Sequence, residues 1–259
     1  MITVLAIGDV CAENGVAFIE RKLPAFKRFC GADLVIANGE NSAPGGVGVT
    51  ADSAGRIFTA GADVITTGNH AFDTQGFEKL YENTRALIRP FNLGKGVPGR
   101  GSYIHDMGRC RVLVANIVGR SYLGVPSTNY FDAMDELLES ADTPVVIVDF
   151  HAEFTGEKVA FARCFDSRAS FIFGTHTHVA TADETIFPGG TAYMTDIGMT
   201  GSIESVIGVD IDRAVRRQRF AFPTRIIPAG GPSMLSGAVV EIDEKTGRAH
   251  SIERIAVRD

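Results

Sequence analysis

Cysteine is scarce in this sequence, and the four that occur are scattered: Cys11, Cys30, Cys110 and Cys164. Because there is no C-x-x-C pair, the sequence has neither a zinc ribbon nor the dense disulfide framework of a small secreted domain. We therefore interpret the cysteines as reduced thiols of a cytoplasmic protein. Only Cys11 bears on the functional site predicted below.

Long apolar runs and an excess of positive charge are also missing. No apolar run approaches the roughly 18 residues that a membrane-spanning helix needs, and the N-terminal stretch "MITVLAIGDV" lacks the basic region of a signal peptide. The 25 Lys and Arg residues are outnumbered by 31 Asp and Glu residues, which gives a formal net charge of −6. This balance argues against membrane surfaces and non-specific nucleic-acid binding, since both need concentrated positive charge. It leaves open a small phosphorylated substrate.

What the first half of the sequence does contain is an alternation of short apolar runs and amphipathic stretches. It predicts strands at 3–10, 31–41 and 62–70 and helices at 13–30, 50–61 and 73–84. Beyond residue 100, the pattern predicts hairpins at 102–118, 184–197 and 236–257, buried strands at 143–151 and 170–178, and a helix at 156–165. These features predict one α/β domain over residues 1–259, with two sheets packed face to face and helices outside.

Polar side chains follow five of the predicted strands, at the point where each strand ends. They are Asp9, Glu40, Asn41, Asn69, His70, His151, His176 and His178. Ligand and catalytic groups of α/β sheets gather at the carboxyl ends of strands, and so many buried polar groups would need partners. A single Asp or Asn in such a place is more often a turn residue, and we assign no role to His105 and His250. The set taken together predicts metal binding.

The chemistry of the set indicates the kind of metal centre. Imidazole and carboxylate ligands without thiolate favour Fe, Mn, Zn or Co over Ca or Mg. The six or seven groups besides His70 exceed the needs of one catalytic ion and fit two. Two ions about 3.5–4 Å apart clamp the attacking and leaving oxygens of an in-line displacement, with one carboxylate between them. His176 and His178 stand two residues apart, and strand geometry would point both imidazoles to the same side.

The order of these motifs is specific. "GDV" (8–10), "NGEN" (38–41), "GNH" (68–70), His151 and "GTHTH" (174–178) resemble, in this order, the motif series of the calcineurin-like metallophosphoesterases. The strings "NGENSAPGGVGVT", "DFHAE" and "ESVIG" and the long stretch at 174–201 resemble the bacterial YmdB-like branch of that superfamily. The resemblance implies a four-layer αββα sandwich of two mixed sheets with a dinuclear metal site.

By position, the resemblance also implies how the residues share the two ions. It implies Asp9, Glu40 and His178 for one ion, and Glu40, Asn41, Asn69, His151 and His176 for the other, with Glu40 bridging. His70 resembles the general acid that protonates the leaving oxygen while a metal-activated water attacks phosphorus; the alternative is that His70 only orients a neighbour. Cys11 stands where the superfamily has a histidine ligand, and Glu40 where it has an aspartate. Whether Cys11 contacts the first ion is left open.

The resemblance implies an enzyme that hydrolyses a phosphodiester, with cyclic nucleotides as substrates and 2',3'-cyclic AMP and GMP favoured. It implies iron or manganese as the cofactor, with zinc or cobalt as alternatives. The rival interpretations are a broad phosphomonoesterase and a metal-loaded protein that binds a nucleotide or an RNA-processing partner; the intact His70 disfavours the second. A metal-dependent amidohydrolase also uses an H-x-H motif, but on the first strand of an eight-fold βα barrel that is not visible here. The sequence leaves a homo-oligomer open.

Two further segments are predicted near the site. The glycine-rich stretch "APGGVGVT" (43–50) lacks the Gly-Lys-Ser/Thr ending of a P-loop, and we expect it to form a flexible lid beside Glu40 and Asn41. The stretch "TDIGMT" (195–200) is expected to line the site.

Overall fold

The elements of the computed structural model follow the predicted alternation of strands and helices. The structure describes residues 1–221 and 223–259. Its strands are β1 (Ile2–Ile7), β2 (Asp9–Val10), β3 (Leu34–Asn38), β4 (Val64–Thr66), β5 (Ser102–Asp106), β6 (Arg111–Val118), β7 (Val145–His151), β8 (Phe171–Thr175), β9 (Thr185–Ile186), β10 (Ala192–Met194), β11 (Met199–Ser202), β12 (Ser233–Ile242) and β13 (Ala249–Arg258). Its helices are α1 (Ala12–Cys30), α2 (Ala51–Thr59), α3 (Phe77–Asn83), α4 (Tyr130–Glu139), α5 (Thr155–Cys164) and α6 (Ile211–Phe220).

The strands form two mixed sheets. The first has the order β2-β11-β12-β1-β3-β4, with β13 paired to β12, and the second has the order β5-β6-β7-β8-β10-β9. β1, β3 and β4 run parallel to one another in the first sheet, and β6, β7, β8 and β10 do so in the second. Parallel strands end at the same edge of a sheet, so each sheet brings several strand ends together.

Alternation of side chains along the strands separates three apolar layers. Val4 and Ala6 of β1 face the second sheet, where they belong to one buried cluster with Ile147 of β7. Leu5 lies on the other face of the first sheet, in a cluster with residues of α1, α2 and α3. On the outer face of the second sheet, Val148 packs in a third cluster with residues of α4 and α5. The predicted four-layer αββα sandwich is confirmed.

No helix in the described part of the chain is both long enough and apolar enough to cross a bilayer.

Candidate active site

Strands of both sheets deliver the predicted site residues to one region. In the first sheet, Asp9 opens β2, Glu40 and Asn41 follow β3, and Asn69 and His70 follow β4. In the second sheet, His151 is the last residue of β7, and His176 and His178 follow β8. Contacts between these side chains join the two sheets at this edge.

The fully buried His151 ring is surrounded at its Nε2 atom. Asn69 Oδ1 lies 2.8 Å away, His176 Nδ1 3.1 Å and Glu40 Oε1 3.2 Å. One ring nitrogen cannot make three good hydrogen bonds at once. Ligand atoms of Glu40, His151 and His176 all lie within 4.8 Å of one another, a spacing that suits a single cation.

The ring orientations leave lone pairs facing this cluster. Thr175 donates its hydroxyl proton to Asp149 at 2.6 Å, so it accepts the proton of His151 Nδ1 at 2.9 Å. The Nε2 atom of His151 is then free to bind a metal, as is usual for a histidine whose other nitrogen is held by a hydrogen bond. His176 is oriented in the same way, because its Nε2 lies 3.0 Å from the carboxylate of Glu153. Glu153 was not predicted from the sequence as a site residue.

A second group of polar atoms surrounds His178. Its Nδ1 donates to the carbonyl oxygen of Ile207 at 2.9 Å, which leaves Nε2 facing Asn41 Nδ2 at 3.1 Å and Asp9 Oδ1 at 3.7 Å. Asp9 is fully buried, and its Oδ1 atom has no hydrogen-bond partner among the described residues. Burial raises the pKa of Asp9, against the attraction of nearby histidines. A carboxylate oxygen left without a donor is a natural place for a cation.

Glycine at position 68 leaves room for this arrangement. A Cβ atom there would overlap the Glu40 carboxylate and the His151 ring. The buried acceptors, the converging imidazoles and this lack of a side chain fit a metal centre built from the residues predicted for it.

The protonation states of the cluster follow from burial and neighbouring charges. Burial by itself raises the pKa of Glu40, but the charge and hydrogen bond of His151, together with His70, outweigh it and lower the pKa to about 2. Burial and the charge of His151 lower the pKa of His176 to about 3. At neutral pH, Glu40 is therefore anionic and His176 neutral, which are the states in which these side chains bind metals. Burial lowers the pKa of His151, but Glu40 and the other nearby carboxylates outweigh it and raise the pKa, so a metal ion bound at its Nε2 would displace a proton.

The two histidines of the H-x-H motif do not lie side by side on a strand. β8 ends at Thr175, and His176 and His178 both adopt positive φ angles, of 95° and 65°. The expectation that strand geometry points both imidazoles the same way is therefore wrong. The left-handed backbone instead turns one ring towards His151 and the other towards Asp9.

A buried ion pair behind the motif holds it in this shape. Lys158 Nζ lies 2.7 Å from Asp196 Oδ2, and both side chains are about 1% exposed. The same oxygen accepts hydrogen bonds from the backbone N–H and the hydroxyl of Thr177, at 3.2 and 2.8 Å. Asp196 thus fixes the residue between the two histidines. The stretch 195–200 therefore supports the site from behind, and none of its residues is among those that line the cavity described below.

His70 lies at the edge of the cluster and is partly exposed. Its backbone N–H donates to Glu40 Oε2 at 3.2 Å, and its ring Nδ1 donates to Asp73 Oδ2 at 2.7 Å. Because a carboxylate only accepts, the opposite ring nitrogen of His70 is available to a bound molecule. Asp73 is a second residue that the sequence did not indicate.

The thiol of Cys11 lies beside the His178 ring. Its thiol donates to the backbone carbonyl of Asp9 at 3.4 Å and lies 3.8 Å from His178 Nδ1, the nitrogen already bonded to Ile207. Cys11 immediately precedes α1 and is 7% exposed. The sulfur therefore lies against the nitrogen of His178 that does not face Asp9.

A cavity of about 350 Å³ opens at this edge. Its polar lining comes from the site residues, including Glu40, His70 and His178. Its apolar lining comes from Ile207, Val209, Ile226 and Pro228. Residues 45–47 also line it, so the glycine-rich loop borders the site as predicted; its movement as a lid stays a prediction.

Comparison with known proteins agrees with this geometry. The sequence model of the family described as YmdB-like protein matches residues 5–255. The chain belongs to the YmdB-like family. A Bacillus subtilis protein named 2',3'-cyclic-nucleotide 2'-phosphodiesterase is 40% identical over 259 residues, which cover 99% of this chain and 97% of that protein.

Solved structures show the same relationship. The crystal structure of a novel phosphatase from Mycoplasma pneumoniae is 34% identical, with a TM-score of 0.94 over 99% of this chain and 93% of that one. The Haemophilus influenzae NAD nucleotidase shares the fold at 14% identity, with a TM-score of 0.64 over 98% of this chain and 55% of that one. This YmdB-like chain is therefore a hydrolase, a metal-dependent phosphoesterase.

Proposed function

We propose that this chain is a dinuclear metallophosphodiesterase that hydrolyses 2',3'-cyclic nucleotides. The proposal rests on two groups of potential metal-ligand atoms. One surrounds His151 Nε2 and the other surrounds His178 Nε2, with Glu40 and Asn41 between them. A relative with 40% identity carries the name of this activity.

The proposed ligands are those that the resemblance to the metallophosphoesterases implies. Asp9, Glu40 and His178 hold one ion, and Glu40, Asn41, Asn69, His151 and His176 hold the other. Imidazole and carboxylate ligands suit iron, manganese, zinc or cobalt, and the family resemblance favours iron or manganese among these. The thiol of Cys11 stays outside the proposed ligand set because it lies on the Nδ1 side of His178. When bound, the ions supply the Lewis acidity that activates water and neutralises the phosphoryl oxygens.

Side chains of the protein protonate the leaving group and bind the nucleobase. His70 stands at the cavity with its Nδ1 held by Asp73, and it gives its other ring proton to the departing ribose 2'-oxygen. The product is a nucleoside 3'-phosphate. The nucleobase packs on the aliphatic lining formed by Ile207, Val209 and Ile226, which offers no side-chain donor or acceptor to a base. We therefore expect the adenine and guanine forms to react at similar rates.

The experiment is metal analysis of protein purified without chelator, followed by turnover of 2',3'-cyclic AMP with added manganese or iron. We expect two ions per chain and 3'-AMP as the product. The rate should exceed those for 3',5'-cyclic AMP and para-nitrophenyl phosphate. Faster cleavage of the nitrophenyl monoester would assign a phosphomonoesterase instead, and tight nucleotide binding without turnover would assign a binding protein.

Two variants test the bridging role of Glu40. Glu40→Gln should reduce both ions, because the shared carboxylate loses its charge, whereas Asp9→Asn should reduce mainly one. Asp52→Asn, which changes an exposed carboxylate on α2, is the matched control and should keep both ions. Equal metal loss in the Glu40 and Asp9 variants would contradict the bridge.

A further inference from the structure

A second groove adjoins the cavity and carries positive charge. We call it the arginine groove, and it is lined by Arg213, Arg217 and Arg225 together with Val206, Ile207, Val209, Ala214, Gln218, Thr224 and Ile226. The lining residues come from α6 and from the segments on either side of it. A chain with a net charge of −6 thus concentrates three arginines in one depression.

The three arginines are available to a ligand. In the part of the chain that the structure describes, no carboxylate lies within ion-pair distance of the guanidinium groups of Arg213, Arg217 or Arg225. Two acids lie at the start of α6. Asp210 caps the helix by accepting the backbone N–H of Arg213, and Asp212 lies in the first turn. No residue of α6 is buried, so the helix holds its arginines at the surface instead of contributing to the core.

The groove is continuous with the active-site cavity. Ile207, Val209 and Ile226 line both depressions. The cavity itself, at about 350 Å³, lies at the small end of the roughly 300–1,000 Å³ range of ligand pockets. A substrate longer than one nucleotide must therefore extend beyond the cavity. The arginine groove begins next to the three aliphatic residues that it shares with the cavity.

We propose that the arginine groove binds the backbone phosphates of an oligoribonucleotide whose 3'-terminal 2',3'-cyclic phosphate lies in the cavity. The inference rests on the proposed function and deepens it from mononucleotides to RNA ends. Guanidinium groups bind phosphates through paired N–H donors, and contacts to the backbone leave the base sequence unread. The reaction is unchanged: water adds to phosphorus, the bond to the 2'-oxygen breaks, and that oxygen takes a proton.

The test compares two substrates, a hexaribonucleotide that ends in a 2',3'-cyclic phosphate and 2',3'-cyclic AMP. The groove variant replaces Arg213, Arg217 and Arg225 by Gln. The control variant replaces Arg28, Arg85 and Arg258 by Gln; it removes the same charge from exposed positions that line neither depression.

The wild type should favour the hexamer. In the groove variant, kcat/KM for the hexamer should fall roughly ten- to hundredfold, mainly through KM, because three exposed charge contacts are lost. The mononucleotide should change less than about twofold, as exposed substitutions away from the site have small effects. The salt dependence of the hexamer reaction should exceed that of the mononucleotide by a logarithmic slope of about 2, or roughly 0.7 for each of three phosphates. The control variant should behave as the wild type.

Three results would refute RNA binding by the groove. The first is an equal effect of the groove variant on both substrates, and the second is no effect on the hexamer. The third is dissociation of a wild-type oligomer in the groove variant, measured by light scattering, which would make the groove a contact between copies of this chain. If the wild type cleaves neither substrate, the proposed function fails. Fluorescence anisotropy with a labelled hexamer ending in a 3'-phosphate then tests RNA binding by the arginine groove separately. Unchanged anisotropy between wild type and groove variant would refute it.

Discussion

At the residue scale, His70 is the side chain whose role is most directly measurable. It touches Glu40 only through its backbone, and its ring is held by Asp73. We predict that His70→Ala keeps its metal content and slows hydrolysis of 2',3'-cyclic AMP by roughly 10²–10⁴-fold, the usual effect of a lost general acid. Metal analysis and steady-state kinetics measure both quantities.

The leaving group separates proton transfer from positioning. For a diester that releases nitrophenolate, which departs without a proton, the loss in His70→Ala should shrink. Asp73→Asn should give a smaller loss of the same kind, because the ring keeps its place and loses only its charged acceptor. An equal loss for good and poor leaving groups would mean that His70 orients a neighbour and donates no proton.

Cys11 provides a second test at this scale. Its sulfur lies on the Nδ1 side of His178, and its nearest partner is the backbone oxygen of Asp9. Cys11→Ser should keep two ions per chain and most of the turnover, since neither the thiol nor the hydroxyl replaces a ligand. His178→Ala is the contrasting variant and should lose one ion. If folded Cys11→Ser protein holds one ion fewer than wild type, Cys11 is a ligand after all.

At the scale of elements, the turn after β4 depends on a glycine. A side chain at position 68 would overlap Glu40 and His151. Gly68→Ala should therefore lower metal content and activity together. Gly55→Ala on α2 is the matched control: its Cβ would meet no atom within 4 Å, and the helix should gain about 0.5–1 kcal/mol. A fully metal-loaded and active Gly68→Ala protein would contradict the packing argument.

The Lys158–Asp196 pair links α5 to the H-x-H motif. Lys158→Met leaves the Asp196 carboxylate buried without its cation, which typically costs about 3–5 kcal/mol. Arg111→Met breaks a similar pair whose two side chains are 43% and 55% exposed, and it should cost less than about 1 kcal/mol. Urea unfolding measures both. Lys158→Met should also bind metal more weakly, because Thr177 loses a fixed acceptor. Equal losses of unfolding free energy in the Lys158 and Arg111 variants would show that burial does not strengthen the Lys158–Asp196 pair.

At the scale of the whole molecule, the proposed metal centre joins the two sheets. Its ligands come from β2, β3 and β4 on one side and from β7 and β8 on the other. Bound ions should therefore stabilise the complete sandwich. Each ion at a hundred times its dissociation constant adds about 2.7 kcal/mol. Two ions therefore add about 5 kcal/mol, which raises Tm by roughly 10–20 °C for a chain of this size.

Calorimetry with and without chelator measures this effect. In Glu40→Gln, most of the difference in Tm with and without chelator should disappear, whereas the exposed Asp52→Asn change should preserve this difference. A single domain over residues 1–259 stays a prediction, and it requires one unfolding transition in both conditions. Two transitions, of which only one responds to chelator, would contradict it.

The sequence by itself predicted the architecture and the candidate residues of the site. Period-two and helical patterns are local, so β1, β3, β7, α1 and α2 follow from them. The candidate site residues could also be predicted, because polar residues follow five strands and the carboxyl ends of strands gather ligand groups, although a single Asp or Asn there is more often a turn residue. The pattern did not predict α6, since none of its residues is buried and it has no apolar face directed at a core.

Only the tertiary structure decided which atoms meet. Asp73, Glu153 and the Lys158–Asp196 pair orient site residues from elements that are distant in the chain, or from loops without a periodic signal. The different partners of the His176 and His178 rings come from positive φ angles that a strand pattern does not encode. The arginine groove arises where α6 is brought against the rim of the cavity. Periodicity records which face of an element is apolar, whereas ligand geometry depends on distances between elements, and folding sets those distances.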